Sequence, residues 1–368
     1  MGASTAYHLA KAGVRDVLLL EREAFFGLGA TGRCAGGIRR QFATEINNRL
    51  SQLSLPMLDA LEAETGQPAL VRRCGYLFVL TRAEDVSAFQ RHLVLQHSLG
   101  VPTEWLTGDE VRRRLPGCSF PDALAGTYLA SDGLADPNSV VMAYISAARR
   151  LGARCLTGLA LEGIETTAGR VKAVVTTQGR IATECIVNAA GPWSAPVAAL
   201  AGVTLPVQPV RRQWLTTTPL PGLPPDFPFV IDFAQSLYFH PEGQGLLTGM
   251  SNPAQAPGFD QSVDAGWELV HLEAAAQRLP MLERAGVASR WAGLYEVTPD
   301  AHPILGEMPL AGFYVVSGFS GHGFMHGPIC GLLMAELITE GRTRTLDISA
   351  LALSRFDENK QVVEYNVV

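Results

Sequence analysis

Apolar positions near the amino terminus change from a helical to a continuous pattern. In residues 3–12 they recur at helical spacing, with Ala6, Leu9 and Ala10 on one side, and Gly13 stands where a helix commonly ends. Residues 17–20 are then continuously apolar, as in a buried parallel strand, and the strand is followed by Glu21. The chain is therefore predicted to begin with a helix that leads into a buried strand.

The same helix-to-strand pattern returns once, in residues 139–151 and 154–157. Between these units, Thr44 is a predicted N-cap for a helix over 44–64 that Pro56 kinks. Other predicted elements are a strand over 75–81, a helix over 83–99, an apolar run over 185–190, a β-rich region over 206–250, a helix over 264–279, a strand over 312–317 and an apolar helix over 325–340.

Composition excludes several classes of protein. Of the 368 residues, 47% are hydrophobic and 17% charged, which is enough apolar material for a large core and argues against disorder. The net charge of −6 argues against a nucleic-acid partner, because phosphate binding needs a basic face. Six scattered cysteines indicate a reducing compartment and predict no metal site. No apolar stretch approaches the roughly 20 residues of a transmembrane helix, and no secretory signal is visible, so we expect a cytoplasmic protein.

The first helix and strand carry part of a nucleotide-binding signature. Gly2 stands where the third glycine of G-x-G-x-x-G opens a helix, and Glu21 stands where an acid would bind a ribose hydroxyl. The first two glycines and their strand would precede Met1, so we expect the natural start to lie upstream, since a sheet without its middle strand exposes apolar edges. Gly2 and Glu21 alone would also suit an NAD-dependent dehydrogenase.

More specific segments follow in order along the chain. They are TGRCAGGIR at 31–39, CGYLF at 74–78, AAGPW at 189–193, and TPDAHPILG at 298–306 followed by GFSGHGFM at 318–325. Together they resemble the D-amino-acid oxidase and sarcosine oxidase superfamily, and within it the β subunits of sarcosine oxidases and dye-linked L-proline dehydrogenases. A nicotinamide-dependent enzyme does not require the segment at 318–325, so this segment argues against an NAD-dependent dehydrogenase.

The resemblance implies an α/β fold with two interleaved domains. A Rossmann-like FAD-binding domain, its first strand missing from this chain, would comprise residues 1–43, 139–205 and 296–368. An antiparallel β-rich substrate domain would comprise 44–138 and 206–295. The FAD-binding residues that the matched segments predict are Gly2, Glu21, Arg22, Thr31, Gly32, Arg33, Gly36, Gly37, Leu161, Ala190, Gly191, Gly318, Phe319, Ser320, Gly321, His322, Gly323, Phe324 and Met325.

Three positions depart from the monomeric sarcosine oxidases that this chain resembles. Gly293, two residues before Tyr295, replaces the cysteine that links the flavin, so we predict noncovalent FAD. Leu247 matches the lysine that activates oxygen, which implies an electron acceptor other than O₂. Met325 replaces a carboxylate-binding lysine, which favours the proline-dehydrogenase-like branch over a sarcosine enzyme.

The predicted catalytic residues are Arg39, Arg40, Tyr238, Tyr295 and His322. A guanidinium fork suits an amino-acid carboxylate, and Arg39 is the first choice because it matches the family's Gly-Ile-Arg position. Both arginines could instead be a solvated pair, the tyrosines could simply pack, and a histidine here could be structural. The turn at 318–323 feeds the apolar helix, whose amino end could stabilise negative charge on reduced flavin.

These features favour an FAD-dependent oxidoreductase that oxidises the C–N bond of a small amine or amino acid. The substrate would transfer hydride to the flavin, which would pass the electrons to an acceptor other than O₂. The expected partners are additional subunits or an electron-acceptor protein. The alternative is an assembly or scaffold protein that keeps the flavin fold without catalysis.

Overall fold

The computed structural model describes residues 1–224 and 226–368. The helices in these residues are α1 (Gly2–Lys11), α2 (Glu45–Asp59), α3 (Leu61–Thr65), α4 (Ala83–Ser98), α5 (Gly108–Arg114), α6 (Pro137–Arg150), α7 (Ser194–Ala199), α8 (Ala265–Arg278) and α9 (Gly323–Glu340). The strands are β1 (Leu18–Leu20), β2 (Gly37–Ile38), β3 (Tyr76–Leu80), β4 (Glu104–Thr107), β5 (Ala125–Leu129), β6 (Gly133–Leu134), β7 (Arg154–Leu156), β8 (Leu161–Thr167), β9 (Arg170–Thr176), β10 (Gly179–Ala182), β11 (Ile186–Asn188), β12 (Gln208–Thr217), β13 (Phe229–Asp232), β14 (Leu237–Glu242), β15 (Gly245–Met250), β16 (Val287–Val297), β17 (Ile304–Glu307) and β18 (Phe313–Ser317).

Two small sheets with parallel pairs flank the start of α1. In one, β1 pairs in parallel with β7; in the other, β11 pairs in parallel with β18, which also pairs with β17. A Cβ atom on Gly2 would lie 3.2 Å from Leu19 of β1 and 3.5 Å from Ala189, which follows β11. The missing side chain at Gly2 thus lets the amino end of α1 fit between the two sheets, and the predicted helix-to-strand unit is confirmed.

The large sheet has the strand order β16-β12-β15-β14-β13-β3-β5-β4. Its neighbours are antiparallel except β3 and β13, which run in parallel and are paired from Phe229 with Tyr76 onward. The sheet is therefore mixed, although the sequence predicts an antiparallel one. No hairpin links β3 to β13, so their relative direction is set by the tertiary arrangement and not by a turn. The α/β fold class is confirmed, while the division into two domains stays a prediction.

Each face of the large sheet packs against a different layer. On one face Leu77, Val79 and Phe239 pack with residues of α8 such as Ala275. On the other face aromatic side chains form a separate cluster that includes Trp214. Because neighbouring residues of a strand point to opposite faces, the residue parity along each strand decides which layer a side chain joins.

Two helix starts show where local signals agree with tertiary contacts and where they do not. Thr44 precedes α2 as predicted, yet its side chain makes no capping bond; Thr44 Oγ1 donates to Glu364 at 2.7 Å. By contrast α6 begins before the predicted residue 139, because Asp136 accepts from the Ser139 amide at 2.6 Å and Pro137 takes the first helical position.

Within residues 1–224 and 226–368, no helix is both long and apolar enough to cross a bilayer.

Candidate active site

The first turn of α1 packs against the amino-terminal half of α9. Ser4 Oγ donates a hydrogen bond to the Pro328 carbonyl at 3.1 Å, and a Cβ atom on Gly331 would lie 2.1 Å from that same Oγ. Neither helix carries an acidic residue in its first turn. Both therefore present free N–H groups and the positive end of a helix dipole, which suits a ligand with negative charge.

An open cavity, about 830 Å³ including the solvent space at its mouth, lies beside these helix ends. The large sheet forms its opposite wall, and α6 contributes apolar side chains. The bordering residues are Met1, Ala3, Ser4, Ala30, Thr31, Cys34, Val140, Val141, Tyr144, Trp214, Leu294, Tyr295, Glu296, Phe319, Gly321, Gly323, Phe324, Gly327 and Pro328. Of the residues predicted from sequence, the structure brings Thr31, Tyr295, Phe319, Gly321, Gly323 and Phe324 together around this cavity.

The glycine-rich turn before α9, residues 318–323, is hydrogen-bonded to the end of β16. The Ser320 amide donates to the Glu296 carbonyl at 3.0 Å, and the Thr298 amide donates to Ser320 Oγ at 3.2 Å. Gly321 has φ +98°, and a Cβ atom there would lie 2.3 Å from Tyr295 Cε2. Only glycine fits this position, because it tolerates the positive φ and leaves room for the tyrosine ring.

Five rings on one side of the large sheet form what we call the aromatic face: Tyr76, Trp214, Phe229, Tyr238 and Tyr295. The rings of Tyr76 and Phe229 are stacked with centroids 4.2 Å apart, and Phe229 lies 5.9 Å from Tyr238. Trp214 links them to Tyr295, whose ring centroid is 6.4 Å away. The strand pairing produces this cluster, since Tyr238 and Trp214 both lie opposite Gly249.

The phenols of the aromatic face are neutral at physiological pH. Burial raises the pKa of Tyr238 well above its ordinary value, and burial likewise raises the pKa of Tyr295 and of Tyr76. The positive charge of Arg212 opposes this effect at Tyr238 and Tyr295. A neutral phenol can both donate and accept a hydrogen bond, so these groups can orient a polar ligand.

Arg39 and Arg40 both have partners within the protein. Arg39 is buried; its Nη1 donates to the Gln41 carbonyl at 2.6 Å, its Nη2 to the Asn366 carbonyl, and its Cζ lies 3.9 Å from the centre of the Phe42 ring. Arg40 Nε pairs with Asp132 at 3.2 Å. Neither arginine is among the residues that border the cavity.

His322 lies directly before α9 and is buried away from the cavity wall. Its ring is edge-on to Phe42 at 5.3 Å and to His326 at 5.2 Å. Within the described residues neither ring nitrogen has a hydrogen-bond partner, whereas His326 Nε2 lies 2.8 Å from Ser51 Oγ. Burial lowers the pKa of His322 well below its ordinary value, so the ring is neutral. Its contact with flavin stays a prediction.

Four residues predicted to bind the nucleotide part of FAD follow strands of the two small sheets, Glu21 and Arg22 after β1 and Ala190 and Gly191 after β11. Glu21 follows β1 and accepts from the Glu23 amide at 3.0 Å, and the Arg22 guanidinium lies 3.7 Å above the Trp193 ring. Gly191, with φ +56°, places its missing Cβ 3.6 Å from Glu296. Ala190 donates its amide to Asn188 at 3.2 Å.

The remaining predicted residues support the wall and do not border the cavity. Arg33 Nη1 donates to the Ala292 carbonyl at 2.7 Å, and Met325 lies in the core around α1 and α6. The glycines pack closely against other segments: Gly32 against Gly27, Gly36 against Ala135, Gly37 against Tyr76 and Phe229, and Gly318 against Thr298. Leu161 begins β8 and pairs with Thr176, in a sheet that contributes no residue to the cavity border.

Sequence reasoning missed several side chains at the cavity and on the aromatic face. Trp214 and Arg212 lie on β12. Polar and apolar residues do not alternate regularly in the sequence of this strand, so the sequence does not indicate which side chains face the cavity side of the sheet. Cys34 was inside a matched segment, and burial raises its thiol pKa to about 11. Glu296 follows Tyr295 and accepts from Ser317 Oγ at 2.6 Å, and burial raises its carboxyl pKa.

These residues fit the FAD that the sequence resemblance implies. The cavity joins two helix amino ends without acids to an apolar aromatic wall, which matches a molecule with a charged pyrophosphate and a flat apolar ring system. Gly321 and Gly323 leave backbone N–H groups uncovered by side chains, because a Cβ at either position would collide with Tyr295 or Phe319.

Comparison with known proteins shows similarity over nearly the whole chain. Mitochondrial sarcosine dehydrogenase of Mus musculus is 30% identical over 97% of this chain, which spans 40% of that protein's length. Glycine oxidase of Geobacillus kaustophilus is 30% identical, with 96% of this chain and 94% of that protein covered. The crystal structure of L-proline dehydrogenase from P. horikoshii superposes with a TM-score of 0.89 at 31% identity, covering 98% of this chain and 96% of that one.

A family model described as FAD dependent oxidoreductase, abbreviated DAO, matches residues 1–337. Since this match covers most of the chain and the fold and cavity agree with it, the chain belongs to the DAO family of FAD-dependent oxidoreductases.

Proposed function

We propose that this protein oxidises the C–N bond of a small amino acid or secondary amine, proline-like or sarcosine-like, and passes the electrons to an acceptor other than O₂. The observation that carries the proposal is the cavity itself. It lies between the amino ends of α1 and α9 on one side and Trp214 and Tyr295 of the aromatic face on the other. This arrangement combines apolar side chains with the Tyr295 hydroxyl and free backbone N–H groups, which suits a cofactor together with a small amino acid or amine.

The relatives support a small nitrogen-containing substrate. Their names specify sarcosine, L-proline and glycine, and each of these compounds carries an amine or imine-forming nitrogen beside a carboxylate. The chain spans about two fifths of the length of the sarcosine dehydrogenases it matches, so no activity of their remaining parts is transferred to it. Additional subunits or an electron-acceptor protein stay part of the proposal.

When bound, FAD supplies the hydride acceptor, and the protein supplies position and electrostatics. The glycine-rich turn leads directly into α9, which begins at Gly323. The free N–H groups and the dipole at the amino end of α9 stabilise negative charge that develops on an adjacent ligand. The ring of Phe319 and the backbone of Gly321 border the same space and exclude water from it.

The apolar border of the cavity favours the neutral form of a substrate amine. Transfer into a cavity bordered by apolar side chains such as Trp214, Leu294 and Phe319 disfavours an ammonium ion, so an amine that enters loses its proton more readily than in water. A neutral amine has the lone pair that C–N oxidation requires. The hydroxyl of Tyr295 stays protonated and can orient the substrate by hydrogen bonding, whereas Tyr238 is buried behind the residues that border the cavity.

Two positions support the finer points of the proposal. Leu247, buried on the same side of the large sheet as Tyr238, places no cation there, which argues for slow reaction with O₂. At Gly293 a Cβ atom would lie 3.1 Å from Arg33 and 3.3 Å from Trp214. Because this position carries no thiol, we expect acid precipitation of the protein to release all FAD into the supernatant; a yellow pellet would contradict noncovalent binding.

An anaerobic absorbance titration tests the function. The FAD-loaded protein is mixed with L-proline, sarcosine or glycine, and the oxidised-flavin band is followed, with dithionite as the control for complete reduction. Bleaching by one of these compounds is expected, followed by faster reoxidation with a quinone or phenazine dye than with O₂. A flavin band that dithionite bleaches and no amine or amino acid does would contradict the proposal and leave the scaffold function.

A further inference from the structure

A buried chain of hydrogen bonds connects His302, Thr44 and Glu364, which come from distant parts of the sequence. His302 Nε2 lies 2.9 Å from Thr44 Oγ1, and the same oxygen lies 2.7 Å from the Glu364 carboxylate. All three side chains are buried, and Thr44 is the most exposed of them at 7%. The chain joins the loop between β16 and β17, the residue before α2 and residues 357–368, which we call the C-terminal segment.

The contacts of this chain determine how many protons it holds. His302 Nδ1 lies 3.0 Å from the Asp300 carbonyl, which can only accept, so Nδ1 carries a proton. The Thr44 hydroxyl has one hydrogen but makes two contacts, and each contact needs a hydrogen between its two atoms. The second hydrogen must belong to His302 Nε2 or to the Glu364 carboxyl. In both arrangements the pair holds one proton more than a neutral imidazole beside an ionised carboxylate.

Glu364 also takes the place of an N-cap for α2. Its carboxylate accepts from the Ala43 amide at 2.7 Å, the Thr44 amide at 3.2 Å and Asn47 Nδ2 at 3.1 Å. It accepts from the Asn366 amide at 3.0 Å as well, within its own segment. Because this carboxylate is buried at the end of a helix, its attachment holds both the start of α2 and the C-terminal segment.

Charged and titratable groups of the neighbouring elements surround the pair. They are Arg39 before α2, His92 of α4, Asp300 beside His302, His322 and His326 at the start of α9, and Arg355. Arg355 pairs with Asp300 at 2.8 Å, and Arg39 donates to carbonyl oxygens. Burial lowers the pKa of His302, and the charge of Glu364 opposes this effect. This balance decides which end of the chain carries the extra proton, whereas the number of protons belongs to the pair.

We propose that His302, Thr44 and Glu364 form a proton-dependent latch that holds the C-terminal segment, so that loss of the shared proton in alkali releases the segment. Without this proton, one of the two contacts of Thr44 brings two lone pairs together and breaks. The Glu364 amide, which donates to the Asp300 carbonyl at 3.0 Å, then loses its support. The latch does not depend on the proposed oxidation.

The latch is connected to the glycine-rich turn beside the cavity. Thr298 Oγ1 donates to the His302 carbonyl at 2.7 Å, and the Thr298 amide donates to Ser320 Oγ at 3.2 Å. Movement of His302 therefore acts on the turn that leads into α9.

Substitution of His302 tests the latch, with a second buried histidine as the matched control. His302→Gln keeps a donor towards Thr44 without a titratable ring. In the control, His271→Gln, the ring nitrogen Nε2 of His271 also lies 2.9 Å from a threonine hydroxyl, but Thr248 donates to the Tyr238 carbonyl and not to a carboxylate. Urea denaturation of each FAD-saturated protein gives the unfolding equilibrium constant between about pH 7 and 8.5.

We expect the latch to make stability fall as the pH rises. Above about pH 6.5 an unfolded histidine is neutral and an unfolded glutamate ionised, so the closed latch gives the folded protein one extra proton. The unfolding equilibrium constant of the unaltered protein, divided by that of His302→Gln, should therefore rise about tenfold per pH unit until the folded protein loses this proton. The same ratio for His271→Gln should stay constant, because that ring is neutral in both states over this range.

A ratio for His302→Gln that is constant from pH 7 to 8.5 would overturn the latch. Nitrogen-15 NMR of the histidine rings tests the unaltered protein directly, even if His302→Gln does not fold. A protonated Nδ1 is expected for His302. A ring protonated only at Nε2 would also overturn the latch, because Thr44 could then make both contacts without an extra proton. Equal hydrogen-exchange protection of the Glu364 amide at pH 7 and in alkali beyond the loss of the proton would contradict release of the segment.

Discussion

Gly321 is the residue at which the glycine-rich turn meets the aromatic face. Its φ of +98° and the 2.3 Å separation between its would-be Cβ and Tyr295 leave no room for a side chain. We expect Gly321→Ala to lower the free energy of unfolding by about 2–4 kcal/mol, from backbone strain plus overpacking. Because Tyr295 borders the cavity, the Kd of FAD should also rise at least about tenfold, as measured by fluorescence titration of the apo-protein.

Gly152 provides the matched control at this scale. Its φ is +97°, yet a Cβ atom there would meet nothing within 4 Å. Gly152→Ala should therefore cost only the strain of the positive φ, about 1 kcal/mol, with the Kd of FAD unchanged. Equal effects of the two substitutions on FAD binding would show that the contact with Tyr295 does not shape the cavity.

Individual site residues were predictable only where a local motif defined them. Tyr295, Phe319, Gly321 and Gly323 border the cavity, and all of them lie in or beside the motifs at 298–306 and 318–325. The engagement of Arg39 was not predictable, because its partner is the Asn366 carbonyl, 327 residues away in the chain. A motif specifies a residue type at a place, whereas the hydrogen bonds of a buried guanidinium depend on the segments packed around it.

At the scale of elements, the crossing of α1 and α9 holds the two helix amino ends together. A Cβ on Gly331 would lie 2.1 Å from Ser4 Oγ and 2.6 Å from the Ser4 carbonyl carbon. Since backbone atoms cannot move aside as a side chain can, Gly331→Ala must push the helices apart. We expect the free energy of unfolding to fall by about 1–3 kcal/mol, measured by urea denaturation of the apo-protein.

Gly327 lies one turn earlier in α9 and serves as the control for this substitution. A Cβ atom at Gly327 would meet nothing within 4 Å apart from its neighbours in the chain. Gly327→Ala should thus change the free energy of unfolding by less than about 1 kcal/mol, because the restriction of the unfolded chain is offset by the contact of the new Cβ with the ring of Pro328. A Gly331→Ala protein as stable as Gly327→Ala would contradict the close helix contact.

Helices and strands with strong periodicity were predicted within a few residues of their observed bounds. The predicted helix over 83–99 corresponds to Ala83–Ser98, and the one over 264–279 to Ala265–Arg278. The predicted apolar helix from 325 begins at Gly323, because the chain enters the helical conformation directly from the glycine-rich turn. The parallel pairing of β3 with β13 escaped prediction, since strand direction in a sheet depends on partners distant in sequence.

At the scale of the whole molecule, buried histidines predict loss of stability in mild acid. Burial lowers the pKa of His8, His240 and His271 from 6.5 to about 4, and that of His326 to about 3. Below pH 6.5 the unfolded chain binds protons at these sites and the folded protein does not. The free energy of unfolding should therefore fall as the pH drops from 6.5 towards 4, by up to about 1.4 kcal/mol per pH unit for each histidine.

Urea denaturation of the FAD-saturated protein between pH 7.5 and 5 measures this slope. Replacing one of the four, as in His271→Gln, should flatten the slope by up to about 1.4 kcal/mol per pH unit, whatever its effect on stability at pH 7.5. A free energy of unfolding that is constant from pH 7.5 to 5 would show that these imidazoles take up protons in the folded protein as readily as in the unfolded chain.

The sequence by itself determined the α/β class, the approximate bounds of the periodic elements and the family, because these depend on local spacing and on motifs of adjacent residues. Tertiary structure decided what the side chains do. It placed the Arg39 guanidinium against carbonyl oxygens and paired Arg40 with Asp132. The physical reason is that an ion pair, a buried pKa and a cavity wall arise from groups brought together across hundreds of residues, and no local pattern in the chain records those distances.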